Sequence, residues 1–222
     1  MTIRSAIRTT IRLELNDSGG TPLWVSGLLD EWLAEGIRDY GRNLPKEASA
    51  SIASVASQAD YALASDCQRV VRVEHPSGFF RVPDPLSAGD VTTDDPSVVK
   101  PLAPLQLAYE VWGVFGALTL TLRPAPADAT DAIKVRYLAV YAEPAADGDT
   151  LATPSQDDHL LIWYCCSRAL QWIGTDEGKR QRWERTRGMS AQGAAGQYEQ
   201  DLRSEYQRRQ RRAAPRRLVV RG

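Results

Sequence analysis

The sequence predicts an α+β fold in which a helical bundle, built from the N- and C-terminal helices, carries an inserted antiparallel β domain. Three observations support this prediction. Apolar residues near both ends of the chain recur every three or four positions, which is the period of an amphipathic helix. Between these segments the apolar residues alternate, which is the period of a strand. The chain has 222 residues, of which 43% are apolar, so it can bury a substantial core.

Two helices are expected at the N-terminal end. Isoleucines at every fourth position from Ile3 to Ile11 form one apolar stripe on a helix over residues 2–15. A Gly-rich turn follows, and a second amphipathic helix begins at Ser26 and is closed by Pro45.

Short strands are expected in the middle of the chain, where alternation replaces the helical period. In order, they cover residues 51–56, 61–63, 67–74, 79–82, 109–112, 118–122 and 133–141. The stretch 83–104 is rich in Pro, Asp, Ser and Thr and is predicted to be a long loop. Consecutive short strands at this spacing are typical of an antiparallel sheet or a small barrel.

Helical patterns return near the C-terminal end. Ser155 and Asp158 match a capping box at the start of a helix over 157–173 that is apolar on most sides and therefore expected to be buried. A polar helical stretch begins at Gly178 and is expected to be interrupted by further glycines, and Pro215 lies in a basic tail.

The order of these elements predicts how the chain divides into domains. Short amphipathic helices are marginal alone, so the two terminal helical blocks are expected to pack together. The prediction is a discontinuous helical domain (1–47 and 151–212), an inserted β domain (48–150) and a basic C-terminal arm (213–222).

The formal net charge of -1 hides a strong asymmetry along the chain. Residues 178–222 carry a net charge of +9, whereas the first 177 residues carry -10. Such a division suggests an acidic body with a basic tail that meets another surface. The residues expected to bind that partner are Arg211, Arg212, Arg216, Arg217, Leu218, Val219, Val220 and Arg221. An extended segment of this composition can add as a strand to the edge of a partner's sheet.

A second basic feature is the row of Arg4, Arg8 and Arg12 on the first helix. One interpretation is a solvated face that is partly balanced by Glu14, because runs of charge are usually solvated. The other is a surface that faces an acidic neighbouring subunit or DNA. Both interpretations stay open at the level of sequence.

Residues that would support catalysis are sparse. The sequence contains no phosphate-binding loop, nucleophile elbow or dinucleotide fingerprint, and neither His75 nor His159 has a partner at metal-ligand spacing. The run Asp147-Gly148-Asp149 lacks the other ligands of a calcium loop and is expected to be a turn. We therefore expect a protein that is not an enzyme and that has no metal and no cofactor.

Cysteine content and hydropathy indicate the environment of the chain. Cys67 is isolated and Cys165 and Cys166 are adjacent, which does not form a disulfide framework and suggests a reducing compartment. We expect the adjacent pair to be reduced and buried. No apolar run approaches the ~18 residues of a membrane span, so no membrane partner is expected.

Several motifs follow one another in a recognisable order. They are the helix over 3–15, Trp24 with Leu28-Leu29-Asp30-Glu31-Trp32-Leu33, Tyr61-Ala62-Leu63-Ala64-Ser65-Asp66-Cys67, Val70-Val71-Arg72-Val73-Glu74, Leu118-Thr119-Leu120 with Pro124 and Pro126, Val135-Arg136-Tyr137, and the helix over 157–171 with Arg168-Ala169-Leu170. Over roughly residues 2–175 this ordered set resembles the head-to-tail adaptor (connector) proteins of tailed bacteriophages.

The resemblance implies a structural virion protein rather than an enzyme. Such proteins form a homo-oligomeric ring, typically a dodecamer, that binds the portal protein, receives the tail or stopper protein and extends the DNA channel. It also implies that DNA passes through the lumen without sequence recognition. The expected location is the neck of the virion, between capsid and tail, after synthesis in the host cytoplasm. The subtype, a siphovirus-like adaptor or the tail tubular gatekeeper of short-tailed phages, stays open.

Two other functions compete with this one. A DNA-binding protein could use the basic tail and the N-terminal arginine row, and its affinity would then fall steeply with salt. A hydrolase would require a convergent polar pocket, for which the sequence offers no motif.

Overall fold

The structure is a computed structural model that describes residues 2–17, 22–84 and 107–213, with side chains up to Gln210. Its helices and strands confirm the α+β class. The chain separates into two compact units. One comprises the residues up to Pro45 together with those from Tyr141 onward, and the other comprises Lys46–Val140.

The helices of the first unit lie close to the predicted positions. Their bounds are Arg4–Glu14 (α1), Ser26–Asn43 (α2), Asp158–Ile173 (α3), Glu177–Arg187 (α4) and Ala191–Ala213 (α5). Gly188 ends α4 in the left-handed conformation, at a φ of 67°, which glycine adopts without strain. Gly193 and Gly196, which were expected to interrupt the helix, instead lie inside α5.

The predicted capping box before α3 is wrong. Ser155–Asp157 forms a short 3-10 turn, and no side chain caps the start of α3. The Asp158 carboxylate is used elsewhere, because it accepts a hydrogen bond of 2.5 Å from the Thr2 hydroxyl. A tertiary contact has therefore replaced the local one.

All five helices contribute buried side chains to one hydrophobic cluster. Two buried tryptophans also make hydrogen bonds inside it, as buried indoles usually do. Trp24 Nε1 donates to the carbonyl of Ala169 at 3.1 Å, and Trp183 Nε1 donates to the carbonyl of Leu15 at 2.9 Å. These bonds join segments that are distant in sequence, so the core fixes both terminal parts of the chain within one unit.

The second unit contains a seven-stranded sheet. Its strands are Lys46–Ile52 (β1), Asp60–Ala62 (β2), Cys67–Glu74 (β3), Phe80–Pro83 (β4), Ala108–Val114 (β5), Ala117–Arg123 (β6) and Ile133–Ala139 (β7), in the order β1-β7-β3-β4-β5-β6-β2. The expectation of a purely antiparallel sheet is wrong, because β4 and β5 pair in parallel. Parallel neighbours require a connection of about a dozen residues or more, which the long sequence between them supplies.

The first strand lies earlier in the chain than predicted. The alternating pattern placed it at 51–56, whereas β1 covers Lys46–Ile52. Its alanines and serines give little hydrophobic contrast, so the position is set by pairing with β7, where Ser49 lies opposite Arg136. One face of β7 is buried through Ile133, Val135 and Tyr137.

Candidate functional site

The N-terminal arginine row makes ion pairs within the chain. Arg4 and Arg8 both contact one carboxylate oxygen of Asp30, each at 2.7 Å. Arg8 also contacts Asp147 at 2.7 Å, and Arg12 contacts Asp17 at 2.7 Å. The three arginine side chains are only 16–18% exposed, so the row holds α1 against α2 and against the 141–150 segment.

These contacts correct the interpretation of the row as a solvated face balanced by Glu14. The partners are aspartates from other segments, and the hydrogen bond from Arg8 lowers the pKa of Asp147 below its ordinary value. Residues 141–150, expected in the β domain, lie with the helices because Arg4 N donates to the carbonyl of Asp149 at 3.0 Å. The subunit- or DNA-facing role of the row stays a prediction.

The last described turns of α5 are held by a second charged cluster. Arg209 Nη1 lies 2.5 Å from the carboxylate of Asp157, whose side chain is 4% exposed. Tyr40 donates its hydroxyl proton to the same carboxylate at 2.5 Å. Arg208 and Arg209 both contact Glu205, at 2.5 Å and 2.8 Å. We call these five residues the α5 anchor.

Electrostatics in the α5 anchor favour the ionised form of Glu205. Hydrogen bonds from Arg208 and then Arg209 lower the pKa of Glu205 to about 2. Burial, and next the hydrogen bond to Asp157, raises the pKa of Tyr40, so its hydroxyl remains a donor at neutral pH. The arm predicted from sequence therefore follows a helix end that is fixed to α2 and to the start of α3.

Most predicted partner-binding residues of the arm lie outside the described residues. These are Arg216, Arg217, Leu218, Val219, Val220 and Arg221. Arg211 and Arg212 belong to α5, but their side chains are likewise outside the description. Sequence reasoning singled out these residues, and it missed the α5 anchor that precedes them.

An exposed basic surface lies on the sheet, and sequence reasoning did not identify it. Arg72 of β3 lies directly opposite Arg136 of β7, and both are exposed. On the other side of β7, Ser49 of β1 pairs with Arg136 and Ser51 with Lys134. We call the surface formed by Ser49, Ser51, Arg72, Lys134 and Arg136 the basic trough. The alternation of Lys134 and Arg136 with the buried residues of β7 was the available signal.

The β5–β6 hairpin exposes large apolar side chains at its tip. Trp112, Val114 and Phe115 are 52%, 73% and 62% exposed. Gly113 has a φ of 110°, and a Cβ there would lie 2.7 Å from the carbonyl oxygen of Ala117, so the turn requires glycine. Exposed apolar clusters of this kind are common at protein interfaces.

The adjacent cysteines, His159 and Asp149 each make contacts that give them a structural role. Cys165 and Cys166 are unpaired and buried, as predicted, and burial raises the pKa of Cys166 to about 12. The ring of His159 meets that of Trp163 edge to face, with ring centres 4.9 Å apart. Asp149 closes the predicted turn by accepting bonds from Ala145 N and Ala146 N.

Within the described ranges, no three potential metal-ligating side chains are grouped together. None of the helices in these ranges combines the length and the apolar content that crossing a membrane requires.

No curated protein matches the chain. The family described as SU10 adaptor protein, however, matches residues 1–221, which is nearly the whole chain. The match confirms the resemblance to phage head-to-tail adaptors that the ordered motifs indicated. The chain belongs to the SU10 adaptor protein family.

Proposed function

We propose that this chain joins the portal protein of a tailed bacteriophage to its tail or stopper protein. In this proposal it acts as a homo-oligomeric ring, a dodecamer by analogy with head-to-tail adaptors, and DNA passes through the lumen without sequence recognition. The observation that carries the proposal is the family match over residues 1–221. The protein is made in the host cytoplasm, resides in the neck of the virion and performs no catalysis.

The parts of the chain have separate tasks in this proposal. The helical domain, made of the residues up to Pro45 and those from Tyr141 to the end of α5, is the rigid body of each subunit, because one hydrophobic cluster joins its helices. The inserted β domain, Lys46–Val140, presents further surfaces. The arm (213–222) binds the portal or a neighbouring subunit.

The α5 anchor supports the role of the arm. The pair between Arg209 and the buried carboxylate of Asp157 fixes the last described turns of α5, so the arm starts from a defined point on the helical domain. Holding one end of a binding segment reduces the conformational freedom that binding removes, and this strengthens attachment. The arm's arginines can pair with carboxylates on the partner.

A DNA-binding protein remains the second candidate, and it depends on the basic C-terminal region. The other half of its support, the row of Arg4, Arg8 and Arg12, is engaged in ion pairs within the chain. Binding to phosphates should weaken steeply with salt, so a salt titration separates the two candidates.

Co-sedimentation of the purified chain with its portal protein tests the proposal. The expected result is a complex that forms without DNA and that persists after nuclease treatment. A chain that binds DNA fragments but never the portal would contradict it.

A further inference from the structure

The strand β4 is the narrowest connection in the seven-stranded sheet. It lies at the centre of the strand order, between the group β1-β7-β3 and the group β5-β6-β2. It pairs with β3 at only two positions and, in parallel, with β5 at only two positions. The pairs of β1 with β7 and of β5 with β6 each extend over seven positions. Because so few backbone pairs cross it, the sheet is expected to open most readily at β4.

Arg81 of β4, which is only 4% exposed, reinforces this connection through its side chain. Its Nε donates to the carbonyl of His75 at 3.0 Å. Its Nη1 donates to the carbonyl of Ala108 in β5 at 3.3 Å and to that of Pro124, just after β6, at 3.0 Å. A single guanidinium therefore bonds to segments of the chain on both sides of β4.

The guanidinium of Arg81 is a buried positive charge that forms no ion pair with any carboxylate in the described ranges. Burial accordingly lowers the pKa of Arg81. Its remaining contact is with the ring of His75, whose Nδ1 lies 3.2 Å from Nη2. Because a guanidinium can only donate hydrogen bonds, Nδ1 must accept this one. The ring of His75 is therefore neutral, with its proton on Nε2.

Protonation of His75 would place a second positive charge beside that of Arg81. His75 is itself 5% exposed, and burial, followed by the charge of Arg81, lowers its pKa below the ordinary value. The charges of Asp131 and then Asp128, which lie between β6 and β7, act in the opposite direction and are outweighed.

The carboxylates around His75 are engaged by other donors. Those of Asp131 and Asp128 each accept a hydrogen bond from a backbone N–H, at 3.2 Å and 3.0 Å. Glu74, which precedes His75 in the chain, pairs with Lys134 at 3.1 Å. None of these three carboxylates forms a hydrogen bond with the imidazole, so an imidazolium at this position has no anionic partner in contact.

We propose that His75 is a pH switch whose protonation opens the sheet at β4. A proton on Nδ1 turns the acceptor into a donor that faces the guanidinium, and the two positive charges repel each other. Arg81 then withdraws from the carbonyls of Ala108 and Pro124, and only the two backbone pairs still join β4 to β5. The opening is confined to the unit Lys46–Val140, and the inference does not depend on the proposed ring.

The sign of the pKa shift defines the pH range of the switch. A histidine whose pKa is lowered in the folded chain contributes its full stability above its unfolded pKa of 6.5. That contribution is lost as the pH falls below 6.5 and through the folded pKa. Glu205 of the α5 anchor loses its contribution only below pH 4.5, so measurements between about pH 7.5 and pH 5 separate the two groups.

Hydrogen exchange in the full chain, corrected for the intrinsic exchange rate at each pH, tests the proposal. The informative amides are those of Val82 and Asp84, which donate to the carbonyls of Leu107 and Tyr109 across the junction of β4 with β5. The amides of α3 report on the helical unit and serve as the internal reference.

Two variants separate the switch from a general effect of acid. His75→Asn keeps a side-chain oxygen that can accept from Arg81 but cannot be protonated in this range. His159→Asn is the matched control, because it removes the other histidine of the chain. Titration of both histidine rings by NMR in the unmodified chain gives a second measurement, which remains decisive if a variant does not fold.

In the unmodified chain and in His159→Asn, protection of Val82 and Asp84 should fall about tenfold at pH 5, as expected when a buried hydrogen-bonded pair is broken. The amides of α3 should keep their protection, His75→Asn should show no such fall, and the ring of His75 should titrate below its ordinary pKa.

Four results would overturn the proposal. They are unchanged protection of β4 at pH 5, an equal fall in His75→Asn, an equal loss of protection in α3, and titration of the His75 ring at or above its ordinary pKa. The last would show that Asp128 and Asp131 stabilise the imidazolium instead.

Discussion

Arg209, near the end of α5, lies 2.5 Å from the buried carboxylate of Asp157, which immediately precedes α3. Tyr40 of α2 donates a hydrogen bond to the same carboxylate. A single acidic side chain therefore joins three helical segments at the point from which the C-terminal arm departs. The same contact fixes the last described turns of α5 to the helical domain.

Replacing this carboxylate should destabilise the protein. In Asp157→Asn, Arg209 keeps only its pair with Glu205 and the Tyr40 hydroxyl loses a charged acceptor, so we expect a loss of about 2 kcal/mol in the free energy of unfolding. Denaturant titration measures the free energy of unfolding. Arg203→Gln is the control, because it removes an exposed pair with Glu199 and should cost about 0.5 kcal/mol or less. Equal effects of the two changes would contradict the structural role of Asp157.

The α5 anchor should also make stability depend on pH. The pKa of Glu205 is lowered from 4.5 to about 2, so its contribution to stability is fully present above pH 4.5. That contribution should be lost as the pH falls toward 2, because protonation breaks the pairs with Arg208 and Arg209. Free energies of unfolding measured from pH 5 to about 2 should fall less steeply in Glu205→Gln than in the unmodified chain. Parallel curves would show that Glu205 is not linked to folding.

The row of Arg4, Arg8 and Arg12 should contribute mainly to the stability of the folded chain. Arg8→Gln removes contacts to both Asp30 and Asp147, and we expect a loss of about 1 kcal/mol in the free energy of unfolding. DNA affinity, measured by fluorescence anisotropy at low salt, should not change by more than the single lost charge explains. A chain that keeps its stability but binds DNA much more weakly would restore the DNA-facing interpretation.

Some elements follow from sequence because local pattern determines them. β3 covers Cys67–Glu74, as its alternating residues predicted, and α2 begins at the predicted Ser26. Pairing between distant residues is not visible in a local pattern. The parallel pairing of β4 with β5 and the contact of Arg8 with Asp147 depend on how the chain returns, so neither could be predicted.

The same reasoning applies to the candidate surfaces. The basic character of the arm was visible as a net charge in one segment. The basic trough was not, because it joins Arg72 on one strand to Arg136 on another and requires the register of both. The position of β1 was also predicted wrongly. It covers Lys46–Ile52 rather than 51–56, and this places Ser49 and Ser51 opposite Arg136 and Lys134.

The adjacent cysteines should resist chemical modification. Both Cys165 and Cys166 are fully buried, and burial raises the pKa of each thiol, so the reactive thiolate is scarce at neutral pH. Labelling with a thiol-reactive disulfide should be slow in the native chain and fast in denaturant. Rapid labelling of both residues in the native chain would contradict their placement in the core.

Deleting the arm should weaken attachment to the portal or ring without destabilising the subunit. A chain that lacks residues 213–222 keeps the α5 anchor, so it should unfold at the same denaturant concentration as the full chain. Its affinity for the portal or for the ring should fall, and co-sedimentation with the portal measures this loss. Attachment with unchanged affinity would show that the arm is not the portal- or subunit-binding element.

Electron microscopy of the purified chain mixed with its portal protein is the most direct test of the proposed function. A closed ring of this chain, stacked coaxially on the portal with a continuous central channel, is the result that the account predicts. Portal rings that remain bare, with the chain present only as free monomers at saturating concentration, would contradict it.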